Sequence, residues 1–265
     1  MYSAPALAAK YLHYYITAAN GKGHGIHSPF VYDFIVHVLN DKEKYPAYRS
    51  VENYRRHLLR DKRWLEIADF GAGSIKSNKK QKRVNEIAKT ALKSRKLGQL
   101  LFRIARYYRP ASMIELGTSL GISGTYLALG NPTGKLVTCE GADAITEIAK
   151  ETFSTLQASN VELVTGNFDD VLPSVLSKLG KIDLAFVDGN HRATPTLRYF
   201  EELLKKTNRP AILIFDDIHW SAEMELAWQQ IKSHPATKLT IDLFFLGLVF
   251  LNPDFKVEQH FVIRF

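Results

Sequence analysis

Three carboxylates stand at the ends of two apolar runs in this 265-residue chain. Asp188 closes "IDLAFVD" (182–188), Asp216 closes "AILIFD" (211–216), and Asp217 follows directly. Runs so rich in Val, Ile, Leu and Phe read as strands buried on both faces. Where such strands are parallel, their carboxyl ends open on one edge, so the three acids would converge. Like charges at close range are costly unless a cation or protons offset them. All-oxygen donors suit a hard cation such as Mg2+, which keeps several waters and can chelate substrate oxygens. The plainer alternative is that one acid caps a helix and no metal binds.

A second constellation lies upstream. "MIELGTSLGISGTYLA" (113–128) passes from an apolar run through Gly117, Gly121 and Gly124 into a helical pattern. Such a turn offers backbone N–H groups to a nucleotide-type cofactor at the carboxyl edge of a doubly wound sheet. Its spacing is G-x-x-x-G-x-x-G, not the G-x-G-x-x-G of dinucleotide sites, and no Gly-Lys-Ser/Thr follows to build a phosphate loop. Glu115 precedes the first glycine by two. Glu140 ends "KLVTCE" (135–140), where a carboxylate can accept both hydroxyls of a ribose. Asn167 follows "VELVTG" (161–166), where an amide and its backbone can meet an adenine edge. Each alone reads as a solvated residue at a strand end, but three in register with the turn read as a site. "FGAGS" (70–74) has no helical pattern after it and reads as a structural turn.

The elements that position these residues follow from periodicity. Five apolar runs (112–117, 135–140, 161–166, 182–188 and 211–216) alternate with helical stretches such as 143–157, 194–206 and 221–234. That alternation predicts right-handed βαβ units and a parallel, doubly wound α/β sheet. The alternation then stops, and 237–251 and 258–265 read as strands following directly on each other, antiparallel at one edge. Residues 1–110 instead predict helices at 4–18, 28–40, 47–60, 83–93 and 96–108, the second capped by Ser28 with Pro29 in its first turn. The expected division is a helical, basic segment over 1–95 and a cofactor-binding domain over 96–265. In the front segment Tyr11, Tyr14, Tyr15, Phe30, Tyr32 and Phe34 recur at helical spacing and read as core, while His24 and His27 read as loop-fixing residues. "ADFGAGSIKSNKKQKR" (68–83) reads as a basic loop, whose "KSNKKQKR" (76–83) is suited to gripping phosphates.

Taken together, "ELGTSLGISG", "TCEGADA", "GNFDDVLP", "FVDGNH" and "IFDDIHW" resemble the class I S-adenosylmethionine-dependent methyltransferases over roughly residues 95–250. More narrowly, they resemble the metal-dependent O-methyltransferases of the catechol/caffeoyl-CoA and macrocin (sugar) types. The resemblance implies a Rossmann-like, seven-stranded sheet ending in an antiparallel hairpin. It implies a methionine pocket shaped by Glu115, Gly117 and Gly121, with Thr118 and Ser119 on the same turn and Ser123 bonding the methionine carboxylate. Glu140 would hold the ribose, Asn167, Phe168 and Asp169 would frame the adenine, and Asp188 would border the cofactor. Asp188, Asp216 and Asp217 would hold the metal beside an acceptor hydroxyl. Many sugar-type relatives read V-D-G-D-H where this chain reads V-D-G-N-H. Asn190 cannot take a proton, so general-base work falls to His191, to His219, to the front segment or to the metal site.

Composition bounds the alternatives. The net charge of +8 divides into +14 over residues 1–110 and −6 over 111–265. A basic front suits an anionic or aromatic small molecule, or nucleic acid, and is equally a solvated helical surface. Against nucleic-acid methylation, the fourth strand lacks the Asp/Asn-Pro-Pro-Tyr/Phe expected for exocyclic amines, and Cys139 ends a strand rather than lying on a catalytic loop. A non-catalytic module would have no reason to keep turn, ribose acid and acid cluster together. The single cysteine excludes an internal disulfide and a cysteine-based zinc cluster and fits a reducing cytoplasm. No signal-peptide pattern is read at the start, and the longest apolar run, 243–251, falls far short of the roughly 20 residues a spanning helix needs. The apolar C-terminal strands offer an edge for a homodimer.

Overall fold

The computed structural model describes residues 1–68 and 79–265. "FGAGS" and residues 76–78 of the basic run therefore lie outside the described residues. In chain order the elements are α1 (Ala4–Thr17), α2 (Pro29–Phe34) running into a π-helical turn (Ile35–Leu39), α3 (Pro46–Leu58), β1 (Trp64–Ala68), β2 (Lys79–Arg83), α4 (Val84–Ala91) and α5 (Arg95–Tyr108). There follow β3 (Ser112–Leu116), α6 (Ile122–Gly130), β4 (Lys135–Glu140), α7 (Asp143–Thr155), β5 (Val161–Thr165) and α8 (Phe168–Leu179). The last elements are β6 (Ile182–Val187), α9 (Ala193–Leu204), β7 (Thr207–Asp216), α10 (Ala222–Lys232), β8 (Leu239–Asp242), β9 (Leu246–Leu251) and β10 (Gln259–Val262). Serine hydroxyls start four of the helices: Ser3, Ser28, Ser94 and Ser221 accept from the backbone N–H groups of Ala6, Val31, Leu97 and Met224.

The chain divides into two compact units, a central one (42–179) and a terminal one (1–41 with 180–265). The helical front is thus shared: α1 and α2 fold with the C-terminal strands, while α3 to α5 fold with the glycine turn.

In the central unit β3, β4 and β5 are parallel neighbours in that order. Val51 and Leu58 of α3, Ile87 of α4, Phe102 of α5 and Tyr126 of α6 are buried in one core with Leu120 and Ile148. Residues 79–83 pair antiparallel with β1 instead of forming a loop. Strand and basic character coexist there, with Gln81 and Lys82 exposed to solvent.

In the terminal unit β6 pairs parallel with β7, and β9 runs antiparallel between β7 and β8, so residues 237–251, expected as one strand, are themselves a hairpin. β10 then lies parallel to β8, not antiparallel as its direct succession suggested, because residues 252–258 carry the chain back before it pairs. β9 is buried throughout and bonded on both sides, so the most apolar strand is interior and offers no free edge. Of the front aromatics, Tyr14 and Phe34 are core, whereas Tyr15 and Tyr32 are largely exposed.

Candidate cofactor turn and acidic cluster

The glycine turn begins by fastening β3 to β4. The N–H groups of Gly117 and Thr118 both donate to Cys139 O, at 3.0 and 3.1 Å, and the hydroxyls of Thr118 and Thr138 bond at 2.6 Å. Ser119 then takes φ +47°, and Gly121, the residue that starts α6, takes φ +83°. A side chain at Gly121 would be strained by that φ and would meet Thr152 Cβ at 3.2 Å on α7. Gly124 answers a different need, since a Cβ there would lie 2.6 Å from Glu115 Oε2. The third glycine therefore makes room for a carboxylate, not for a ligand.

Glu115 is fully buried beneath the turn. Thr138 Oγ1 donates to its Oε2 at 2.6 Å, and Ser123 also bonds the carboxyl. Burial pushes its pKa up to about 7 against the help of those two hydroxyls. Ser123, expected at the methionine carboxylate, is buried next to Glu115 and favours its ionised form. Two buried polar atoms on this turn, Glu115 Oε1 and Ser119 Oγ, have no hydrogen-bond partner. One is an acceptor and the other a hydroxyl donor, so they match the ammonium and carboxylate of an amino-acid group.

Glu140 is held at the end of β4 by the backbone. Its Oε2 accepts from Ser119 N–H at 2.9 Å and its Oε1 from Ala142 N–H at 3.1 Å. Burial raises its pKa, opposed by these N–H groups and that of Gly141. Gly166 N–H reaches Glu140 O at 2.8 Å, so the ends of β4 and β5 adjoin. Asn167 is exposed there, and its Oδ1 accepts from Asp169 N–H at 3.1 Å, which caps α8. Phe168 is half-buried and Asp169 exposed in the first turn of that helix. Turn, Glu140 and Asn167 share one sheet edge, as the spacing predicts.

The second constellation belongs to the terminal unit. β6 and β7 are parallel with Val187 opposite Phe215, so Asp188 and Asp216 emerge side by side. The third member of the cluster is His191: one donor atom each from Asp188, His191 and Asp216 lie within 4.8 Å of one another. His191 Nε2 is 3.6 Å from Asp188 Oδ1, and its Nδ1 is 4.0 Å from Asp217 Oδ2. Asp217, expected as a third ligand, has φ +54°, donates its N–H to Phe245 O at 2.7 Å and places its carboxylate on the Nδ1 side of the imidazole. The donor set is two carboxylates and an imidazole, which suits a divalent cation and favours Mn2+-like metals over a purely oxygen-loving one. The signal for His191 in the sequence is the Asp-x-x-His spacing of residues 188–191, which by itself points to a base and not to a ligand.

The loop that carries His191 is bent sharply, with Asn190 at φ +67° and His191 at φ +20°. Asn190 Nδ2 donates to Tyr199 OH at 3.2 Å, anchoring the loop to α9. An aspartate could not donate that bond, and asparagine is among the residues that best tolerate a left-handed backbone. His219 stands apart. Its Nδ1 faces Glu225 Oε1 at 3.1 Å, its Nε2 faces Asp242 Oδ2 at 2.8 Å, and its ring stacks on Phe244. Burial alone would lower its pKa, but the two carboxylates outweigh it and hold the ring above the ordinary histidine range. With both nitrogens engaged, His219 clamps α10 and β8 and has no lone pair for a substrate proton. His24 and His27 are exposed in their loop.

Comparisons with known proteins bear on the fold and on residues 114–218. Residues 114–218 match the model of a methyltransferase domain family. A protein of Mycobacterium sp. (strain JLS), by assignment an O-methyltransferase, is 30% identical over 102 residues, 37% of this chain and 46% of its own length. The match therefore spans about half of that relative. The O-methyltransferase of Bacillus cereus, solved with SAH, shares the fold at TM-score 0.55 and 19% identity, covering 79% of this chain and 92% of that one. A SAH-bound methyltransferase of Podospora anserina aligns at TM-score 0.58 and 16% identity, over 84% and 96% of the two chains. Among the described residues no helix is long and apolar enough to cross a membrane.

Proposed function

We propose that this chain, whose residues 114–218 form a methyltransferase domain of the class I fold, transfers a methyl group from S-adenosylmethionine to a hydroxyl of a small molecule. The observation that carries the cofactor is the pair of unpartnered buried atoms, Glu115 Oε1 and Ser119 Oγ, on a turn whose neighbour Glu140 is already oriented. Glu115 Oε1 accepts from the methionine ammonium, Ser119 Oγ donates to its carboxylate, and Glu140 presents its remaining lone pairs to the ribose hydroxyls. Asn167, with Phe168 and Asp169, borders the adenine. The cofactor supplies an electrophilic methyl on a positively charged sulfur, so the chain has to deliver a nucleophilic oxygen in line with it.

Asp188, His191 and Asp216 serve the acceptor. They would hold a divalent cation, whose chemistry is to lower the pKa of a hydroxyl bound to it. Asp217 keeps the His191 ring turned so that Nε2 faces Asp188. Without a cation His191 Nε2 is itself the base, and the two routes separate experimentally. Residues 1–95 are read as the segment that selects the acceptor, and the cytoplasm as the site of action.

Calorimetric titration of S-adenosylmethionine into wild type and Asp216→Ala, with Mn2+ or Mg2+ and with EDTA, tests this. The expected result is cofactor binding in every case and a metal isotherm that Asp216→Ala and His191→Ala both lose. Release of S-adenosylhomocysteine in the presence of catechols, vicinal diols and sugars should stop with EDTA. Turnover that survives EDTA but not His191→Ala would assign His191 as the base. Failure of the wild type to bind the cofactor would overturn the whole reading.

A further inference from the structure

We propose that a cleft at the first turns of α3 and α5 binds a small phosphorylated molecule. It encloses about 470 Å3, within the range of small-ligand sites. Lys44 and Arg49 line it from the start of α3, Arg56 from the last turn of that helix, and Arg95 from the start of α5. No carboxylate among the described residues pairs with Lys44, Arg49 or Arg95.

The one acid in the lining is already committed. Arg55 Nε bonds the two oxygens of Glu52 at 3.1 and 3.0 Å, and Tyr126 OH donates to its Oε1 at 2.7 Å. Arg56 bonds the Asn53 amide oxygen and keeps its charge. Four cations thus line one cavity against a single acid that is already paired with Arg55, an arrangement that raises the concentration of a multivalent anion. The backbone adds to this field. Neither α3 nor α5 has an acid in its first turn, and the residue that starts α3, Tyr45, makes no side-chain cap. The positive end of α3 is therefore left for a ligand to complement, while Ser94 caps that of α5.

Three of the four cations are arginines, whose planar forks bond phosphate oxygens in pairs, so a phosphate group fits better than a lone carboxylate. The volume beyond one phosphate leaves room for an organic group. Glu52, on the wall, is bonded to Tyr126 of α6, the helix that starts at the glycine turn. A seated ligand is thus one hydrogen bond from the cofactor helix. None of this depends on the methyl-transfer reading.

Inorganic pyrophosphate titrated into the full chain by calorimetry at low salt is the test. One saturable site is expected, weakened about tenfold or more in Arg49→Gln/Arg95→Gln. Lys178→Ala/Lys181→Ala, which removes two exposed charges outside the cleft, should leave the affinity within about twofold. Thermal melts check folding, and the single Arg49→Gln and Arg95→Gln variants, each expected to weaken binding several-fold, stand in if the double variant unfolds. Absence of a saturable site, or an equal loss in the Lys178/Lys181 pair, would overturn the proposal. So would a short single-stranded RNA that binds far more tightly than pyrophosphate with the same dependence on Arg49 and Arg95, since the cleft would then be a nucleic-acid contact.

Discussion

Glu115 shows how much a single buried acid can set. Its pKa of about 7 arises from burial, with Thr138 and Ser123 pulling the other way. An acid whose folded-state pKa is raised stabilises the fold fully below its unfolded value of 4.5, and that contribution fades as pH rises through about 7. Wild type should therefore lose melting temperature between pH 5 and pH 8 more steeply than Glu115→Gln, and the difference between the two curves isolates this carboxyl. Parallel curves would mean that Glu115 stays ionised throughout. The sequence marked Glu115, Glu140 and the aspartates by type and spacing alone. It did not disclose that His191 stands beside Asp188 and Asp216. That placement depends on three left-handed residues, Asn190, His191 and Asp217, whose φ angles no local pattern specifies.

At the level of elements, the site rests on how closely α6 approaches its neighbours. Gly121 lies against Thr152 and Phe153 of α7, and Gly124 lies over Glu115. Gly124→Ala would put a methyl 2.6 Å from Glu115 Oε2 and 3.2 Å from the Phe153 ring, so the start of α6 must shift. Overpacking of this kind costs about 1–3 kcal/mol, which urea unfolding would resolve. Cofactor affinity should fall with it, because Ser119 and Glu140 are bonded across the same turn. An unchanged affinity would separate the turn from the cofactor. Strands and helices were readable from periodicity because each apolar run was short and each helix carried its own face. The direction of β10 was not, since a strand's partner is chosen by the whole sheet and not by its own residues.

For the molecule as a whole, the sequence suggested a front segment joined to a back domain, and the contacts divide it otherwise. Tyr14 OH donates to Ile263 O at 2.5 Å and accepts from Phe265 N–H at 3.0 Å. Glu225 gathers Tyr2 OH at 2.7 Å, Lys10 Nζ at 3.0 Å and His219 Nδ1 at 3.1 Å. Glu225→Ala should raise amide exchange in α1 while leaving S-adenosylmethionine binding unchanged, because the glycine turn belongs to the other unit. Equal loosening of both units would show that they unfold together. Charge halves and element types were legible in the sequence, but not this pairing of residues separated by more than 200 positions, which only the folded chain brings together. The pairing also bears on synthesis. Chains emerge from the ribosome N-terminus first, at about 5–20 residues per second. Residues 1–41 thus wait, with Tyr14 unpartnered and the apolar side of α1 bare, until residues 259–265 have been made. For that interval α1 lacks the segment it packs against, and chaperones that hold nascent chains would meet it there.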